Sequence, residues 1–550
     1  MDVTWILFKG KTYTNPLLPG WHSDPSCVHV PAHNNTTFCV ASTFIAFPGL
    51  PIYASQDLQA WKLASNAFSR PSQIPDLRET TNQQGGLYAP TLRYRGGRFY
   101  LIVSFLGPST RGLLFSSADP FKSEAWGEPV EFDVVGIDPD IFWDDDEGNV
   151  YVTSADDQRI QQYSLDLETG ETGPAVDLWN GTGGRDGWYY LLIAEGGTEV
   201  DHAVMMARSN NRTGPWEPCP HNPLLTNRGT EEYFQTVGHA DLFQDGNGNW
   251  WAVALGTRSG PEFVTYPMGR ETVMAPATWA EGEWPVIEPV RGQMQGPLPR
   301  KNSRSLKGRG EGPFVKRPDR LDFEPGSSIP AHLVYWRYPK EEHFAISPPG
   351  HSHTLRLTPA FANLTGDASF QPDDDITFLA RRQTDTLFTY TVDVNFSPTV
   401  VDEEAGITLF LTQFQHVDMG IVLLESSSGA LTPSLRFRTE GRGNYEEDIP
   451  TKSIELPHEW LGKPVRLGIR AVSDEKYEFF ARSTGRPKET ILGSVDARVV
   501  SGNTGKFTGT LVGVYATSNG GSGQTQAYVS RWRYEGQGQK IDHEIIVPSY

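Results

Sequence analysis

A recurring turn-then-aromatic-strand pattern in the first 300 residues, set among almost no helical periodicity, constrains this chain more than any other feature. A glycine-led turn runs straight into a short aromatic strand at Gly97-Arg98-Phe99-Tyr100, Gly148-Asn149-Val150-Tyr151, Gly187-Trp188-Tyr189-Tyr190 and Gly248-Asn249-Trp250-Trp251. A weaker version stands at Thr37-Phe38-Cys39-Val40. A second strand and a polar turn follow each, often closed by tryptophan, as at Asp57-Leu58 with Trp61, Asp119-Pro120 with Trp126 and Arg208-Ser209 with Trp216. Short apolar runs rich in β-formers, repeated at this length, predict an all-β chain that opens with a five-bladed β-propeller. A β-sandwich array is the alternative that the repeat alone leaves open. In a propeller the starts of the inner strands converge on a central channel, so a site is expected there.

The pattern stops near residue 291. Gln293 to Glu311 is rich in Gly, Pro, Lys and Arg, lacks a strand pattern and reads as a linker. Alternating strands then resume, among them Phe388 to Phe396, Gly406 to Leu411, Val465 to Ile469 and Leu511 to Ala516. This predicts a β-sandwich, of jelly-roll type. The expected boundaries are 1–292 for the propeller, 293–320 for the linker and 321–550 for the sandwich, and two domains suit 550 residues.

Charge narrows the partners. A formal net charge of −20 argues against nucleic acid and anionic membrane, both of which select basic surfaces. It suits a neutral or weakly acidic polymer, and 15 Trp, 20 Tyr and 28 Phe favour stacking against sugars. No apolar run approaches ~18 residues, so no membrane span is expected. Met1 to Thr14 carries an apolar patch at Trp5 to Phe8 but no basic leader. Asn-x-Ser/Thr sequons at Asn34, Asn35, Asn180, Asn211, Asn363 and Asn395 nevertheless suggest a secreted glycoprotein, expected to be extracellular and monomeric. Of three cysteines, Cys27 and Cys39 can bridge neighbouring strands, and no metal-ligand spacing is present.

Within this frame a few residues can carry chemistry. Asp24 sits in a Pro- and Gly-stiffened loop, Pro19-Gly20-Trp21-His22-Ser23-Asp24-Pro25, three residues after Trp21. A firmly held carboxylate can activate water while an indole meets the apolar face of a sugar; an Asx turn starting a strand is the bland alternative. Gly136-Ile137-Asp138-Pro139 repeats the Asp-Pro entry in another blade, Ile193-Ala194-Glu195 ends a strand on a glutamate, and Gly238-His239-Ala240-Asp241 and Gly269-Arg270-Glu271-Thr272 follow. Singly, Asp138 reads as a turn former, His239 as a satisfied core histidine and Arg270 as a surface ion-pair partner.

Together these motifs, with Phe47-Pro48-Gly49-Leu50-Pro51, Tyr88-Ala89-Pro90-Thr91, Arg381-Arg382-Gln383 and Glu403-Glu404-Ala405-Gly406, resemble glycoside hydrolase family 43 along essentially the whole chain. The Trp21-His22-Ser23 wording is most similar to the fungal arabinofuranosidases of that family. The resemblance implies an inverting exo-hydrolase that releases arabinofuranose branches from arabinoxylan, or a β-xylosidase acting on xylo-oligosaccharides, or a non-catalytic glycan-binding relative. It makes Asp24 the general base and Asp138 the modulator of the acid's pKa. It places Trp21, Phe44, Tyr88, His239 and Arg270 against the sugar. No cofactor is required, and a structural Ca²⁺ near His239 is a candidate.

One part of the family pattern is missing. The resemblance implies a general acid on a Glu-Gly-Pro-His segment before the Gly-x-Tyr-Tyr strand, and no such segment occurs. Here Trp179 to Gly184 passes at once to Arg185-Asp186-Gly187-Trp188. Repeat spacing agrees independently: Gly97 to Gly148 spans 51 positions and Gly187 to Gly248 spans 61, but Gly148 to Gly187 only 39. About a strand and a half is expected to be absent from that blade, leaving Glu195 as a poor substitute acid.

Overall fold

The computed structural model describes residues 10–145, 148–156, 159–178, 184–185 (backbone), 188–300, 306–366, 370–371, 374–426, 428–441 and 449–550. The Trp5 to Phe8 patch, the Asn180 sequon, Trp179 to Gly183 and Gly187 of the repeat lie outside these residues. The described chain is all-β, its helices being short 3₁₀ turns.

Five four-stranded antiparallel sheets follow one another, each built in chain order. Their first strands are Ser23–Val30, Gly86–Arg95, Ile137–Asp144, Gly184–Arg185 and Phe234–Gln244. Period-two side chains make each sheet a double-sided wedge. In Arg98–Leu106, Phe99, Leu101, Val103 and Phe105 enter a core shared with Phe38 and Val40 of the first sheet. Ile102, of opposite parity, packs instead with Ile141, Val152 and Tyr163 of the third. Faces therefore stack sheet on sheet, and first strands meet: Ser23–Val30 touches both Gly86–Arg95 and Phe234–Gln244, and Gly86–Arg95 touches Ile137–Asp144. A disulfide joins Cys27 to Cys39 across the first two strands, and Cys219 is free and buried.

The first unit is closed by its ends. Lys11–Thr14 pairs antiparallel with Gln293–Gly296. Beside it, buried Asn15 donates through Nδ2 to the Met274 and Arg291 carbonyls at 3.0 and 2.9 Å.

The second half is two packed sheets of nine and six strands. Phe388, Tyr390, Val392 and Val394 face Ile407, Leu409, Val417 and Met419 across their interface. The six-stranded sheet is covered on both faces: Phe378, Phe410 and Tyr515 on its other side join the core containing Trp21, Phe44 and Phe68. Tyr335–Trp336 also pairs with Ala46–Phe47, so main-chain ladders cross between the halves.

The stretch expected to be a linker needs correcting. Gln293–Gly296 is a strand, and the described remainder is strapped to the first sheets rather than free. Glu311 N donates to the Ala64 carbonyl at 3.0 Å, Ser123 N donates to Glu311 Oε1 at 2.8 Å, and Leu306 is buried. Glycine-rich composition reflects close approach: a Cβ on Gly312 would sit 2.6 Å from the Leu63 side chain.

Candidate active site

Four of the five first strands lose register at the same point along their length. The breaks fall between Ser23 and Ser26, Tyr88 and Thr91, Ile137 and Asp140, and Gly238 and Asp241. Within them Asp24, Ala89, Asp138 and His239 adopt positive φ of 51°, 44°, 57° and 48°. These are β-bulges, which re-aim one side chain out of the pleat, and left-handed non-glycine backbone costs ~1–3 kcal/mol apiece. Three of the four bulge residues precede proline, which disfavours the right-handed helical alternative.

The bulges bring two carboxylates and a histidine together. Asp24, 5 % exposed, accepts from Ser42 Oγ at 2.7 Å through Oδ2 and meets Arg270 Nη1 at 3.3 Å through Oδ1. His239 Nδ1 stands 3.8 Å from Asp138 Oδ2. Burial alone would raise the Asp24 pKa, but His239, Arg270 and the hydroxyls of Ser42 and Ser23 outweigh it and hold the group below its ordinary value. Asp138 goes the other way: burial, reinforced by the nearby Asp24 charge, keeps it raised despite His239 and Arg270. One acid is thus poised as a carboxylate and its neighbour retains its proton more tightly.

Arg270 is fixed from three sides. Besides Asp24, its Nη2 donates to the Thr198 carbonyl at 2.7 Å, and its guanidinium lies 4.4 Å over the ring of Phe507. Tyr88, half-buried, has its phenol pushed up to about 12 by burial and by the Asp24 charge. His202, buried, donates from Nδ1 to the Thr236 carbonyl at 3.2 Å. Burial, with the Arg270 and His239 charges, drops its pKa to about 4, so it is neutral at pH 7. Its ring fills the space beside Gly238, where any Cβ would come within 2.4 Å of it.

Two expected sugar contacts are corrected. Trp21 is 0 % exposed, packed against Phe44, Trp336 and Arg382. The loop turns tightly at Gly20 (φ 80°), pressed onto the Gln383 carbonyl, and this sends the indole away from the Asp24 side. Phe44, 1 % exposed, supports Tyr88 edge-on at 4.8 Å and Phe507 face-on at 6.2 Å. Both rings back the site rather than line it. Glu195 stands exposed at the end of Trp188–Glu195.

Two or more residues beyond the bulges, a second network ties the same strands together. Arg93 donates from Nη2 to Asp140 Oδ2 at 2.9 Å and from Nη1 to Asp241 Oδ2 at 2.8 Å. Asp241 also receives Ser26 Oγ at 2.6 Å. One guanidinium thereby links the first strands of the second, third and fifth sheets, with Ser26 adding the first. Ca²⁺ needs six to eight oxygen ligands, and among the described residues no group of three or more His, Cys, Asp or Glu could hold a metal.

The fourth sheet differs. Among the described residues its first strand, Gly184–Arg185, pairs with Tyr189 and Trp188, at the start of the second strand. Leu191–Glu195 is laddered to Ala203–Ala207 on its other side. Trp188–Glu195 accordingly packs against Phe234–Gln244 of the fifth sheet. A cavity of about 900 Å³ opens here, reaching from Asp138 and His239 past Leu191 to Trp143 and Trp250.

Two carboxylates of split proton affinity on neighbouring first strands, one of them lining an aromatic-walled cavity in an all-β scaffold, are the equipment of a glycoside hydrolase. Comparison with known proteins places it further. "Glycosyl hydrolases family 43" matches residues 13–285, and "Beta xylosidase C-terminal Concanavalin A-like domain" matches 320–535. The chain belongs to glycosyl hydrolase family 43. It is 34 % identical over 532 residues to a non-reducing-end α-L-arabinofuranosidase of Bacteroides ovatus, covering 93 % of this chain and 92 % of that one. A xylosidase/arabinosidase of Butyrivibrio fibrisolvens is 28 % identical over 92 % and 96 % of the two chains. Among solved structures, Bacteroides ovatus xyloglucan PUL GH43B superposes with a TM-score of 0.81 at 31 % identity, covering 96 % and 99 %.

Proposed function

We propose that this chain is an exo-acting, inverting α-L-arabinofuranosidase built on a five-bladed propeller, and that it is impaired in general acid catalysis. Asp24 is the base: its depressed pKa keeps it ionised, and Arg270 and Ser42 fix its two oxygens. It takes a proton from water as that water attacks the anomeric carbon, the C–O bond to the leaving sugar breaks, and the configuration inverts. Asp138 tunes the electrostatics beside it. The leaving oxygen needs a proton from an acid that, in this reading, belongs to the first-strand position of the fourth sheet, which holds two residues, Gly184–Arg185. Glu195, at the end of that sheet's second strand, is the candidate substitute acid, and its exposure weakens it in that role.

The observation that carries this reading is the pair Asp24 and Asp138 on matched bulges of two first strands, their proton affinities pushed apart, with Asp138 lining the cavity. Arabinose is preferred over xylose because the Bacteroides arabinofuranosidase is 34 % identical across 93 % of the chain, whereas full-length relatives named as xylosidases stand at 26–27 %. β-Xylosidase remains the second reading. The natural substrate is a neutral arabinosylated polymer, arabinoxylan or, in view of the xyloglucan named for one relative, arabinosylated xyloglucan. The sequons and the Cys27–Cys39 disulfide support an extracellular location. The deciding measurement is kcat/KM for 4-nitrophenyl α-L-arabinofuranoside against the β-D-xyloside. A ratio above ~10 is expected, and a ratio below one overturns the assignment in favour of xylosidase.

A further inference from the structure

Behind the Trp21-His22 loop, where the two halves meet, Arg382 is buried, 7 % exposed, with no carboxylate beside it. No described acidic group acts on its guanidinium, and burial holds its pKa below the ordinary arginine value. Its only described ring contact is Trp21, at 5.2 Å. Burying a cation without a partner is among the costliest arrangements a protein can adopt.

Arg382 lines a pocket of about 40 Å³ between the halves. His22 and Tyr53 come from the first sheet, Arg381 and Thr384 from the second half, and residues 313–317 run over it. Two buried nitrogen atoms without a hydrogen-bond partner belong to residues around this one pocket: Arg382 Nε and His332 Nδ1. Arg381 has Asp319 at 2.8 Å as an ion pair, and His332 Nε2 reaches the same carboxylate at 2.9 Å. His22 and Tyr53 satisfy each other at 2.7 Å, Thr384 donates to Asp385 at 2.9 Å, and Asp319 is taken up by Arg381 and His332, so none of these groups pairs with Arg382. Arg317, Arg381 and Arg382 against Asp319 leave the lining cationic.

We propose that this seam pocket binds a small monovalent inorganic anion, chloride being the abundant one, which pairs with Arg382 and clamps the second half onto the loop leading to Asp24. Volume sets the ligand class. About 40 Å³ takes a few water-sized atoms, enough for a halide and its companion water but not for a sugar acid or a nucleotide. The lining supplies cationic N–H donors, which anions prefer. The anion lies outside the sugar site and takes no part in the chemistry, so the proposal stands whether or not the arabinofuranosidase reading does.

The test uses the full-length protein at fixed ionic strength, exchanging chloride for gluconate, which is too large for the pocket. Melting temperature should rise by about 2–4 °C from zero to 100 mM chloride and saturate, as for any ligand held by the native state alone. A crystal grown in sodium bromide should show an anomalous peak within hydrogen-bonding distance of the Arg382 guanidinium. Arg382→Met, which keeps the stem but removes the charge, should abolish both the peak and the chloride dependence. Bromide absent from the pocket, or an equal chloride response in the variant, overturns the site; if the variant fails to fold, the bromide crystal of the unmodified protein decides alone.

Discussion

At the scale of single residues, Asp24 and Arg270 can be separated by their effect on pH. Asp24→Asn should cut turnover of an aryl arabinoside by ~10²-fold or more with the fold intact, as for loss of positioned proton transfer. Azide should restore part of the rate, yielding a glycosyl azide of inverted configuration; near-normal hydrolysis by the variant would remove Asp24 from the mechanism. Arg270 acts on the proton affinity. Asp24 is held below the ordinary carboxylate pKa of about 3.9, so the acidic limb of kcat/KM should lie below that value. Arg270→Met takes a cation from the anionic base, raises its pKa, and should move that limb toward higher pH; an unmoved limb means that Arg270 binds sugar only. The same sign governs stability: the Asp24 contribution is present above its unfolded pKa and is lost as pH falls through the folded one. Asp24 and Asp138 were legible because Asp-Pro after a turn is both a bulge signature and a chemical one. Trp21 was misread for a physical reason, since nearness in sequence to a carboxylate says nothing about which way a bulge turns its neighbours. His202 carries no motif, and only its packing against Gly238 reveals it.

At the scale of the element, the fourth sheet sets substrate range. Repeat spacing singles out this sheet, because the repeat counts residues without needing to know their fold. Sugar leaving groups need protonation and nitrophenolate does not, so the chain should cleave an aryl arabinoside yet barely debranch arabinoxylan. Inserting a Glu-Gly-Pro-His-bearing strand after Gly184 should narrow that gap at least ~10²-fold, the usual worth of a general acid. Debranching by the unaltered chain at a kcat of ~1–10³ s⁻¹ would place the acid elsewhere, and Glu195→Gln would be the variant to make next. The hairpins and the repeat were readable because side-chain alternation is local. The Arg93 hub was not, since three strands up to 148 residues apart must first be brought together.

At the scale of the whole molecule, the second half is part of the site. Phe507 arrives from it to lie under Arg270 and face Phe44, and Phe507 N is bound by Gln84 Oε1 at 3.1 Å. Phe507→Ala should raise KM for the arabinoside about three- to tenfold, the worth of roughly one cation–π contact, while the melting temperature changes little; an unchanged KM would reduce Phe507 to packing. Nothing in the sequence announced this contact, because a residue more than two hundred positions past the propeller leaves no local mark on it. The pairing of Lys11–Thr14 with Gln293–Gly296 also has a bearing on synthesis. Asn15 waits for a carbonyl 276 residues downstream, so at ~5–20 residues per second a ribosome exposes it roughly 14–55 s before its partner emerges. Ala46–Phe47 must wait longer still, for Tyr335–Trp336. A ribosome stalled before residue 293 would therefore release a chain whose strand Lys11–Thr14 lacks its pairing partner and whose Asn15 must rely on Met274 and the residues before the stall.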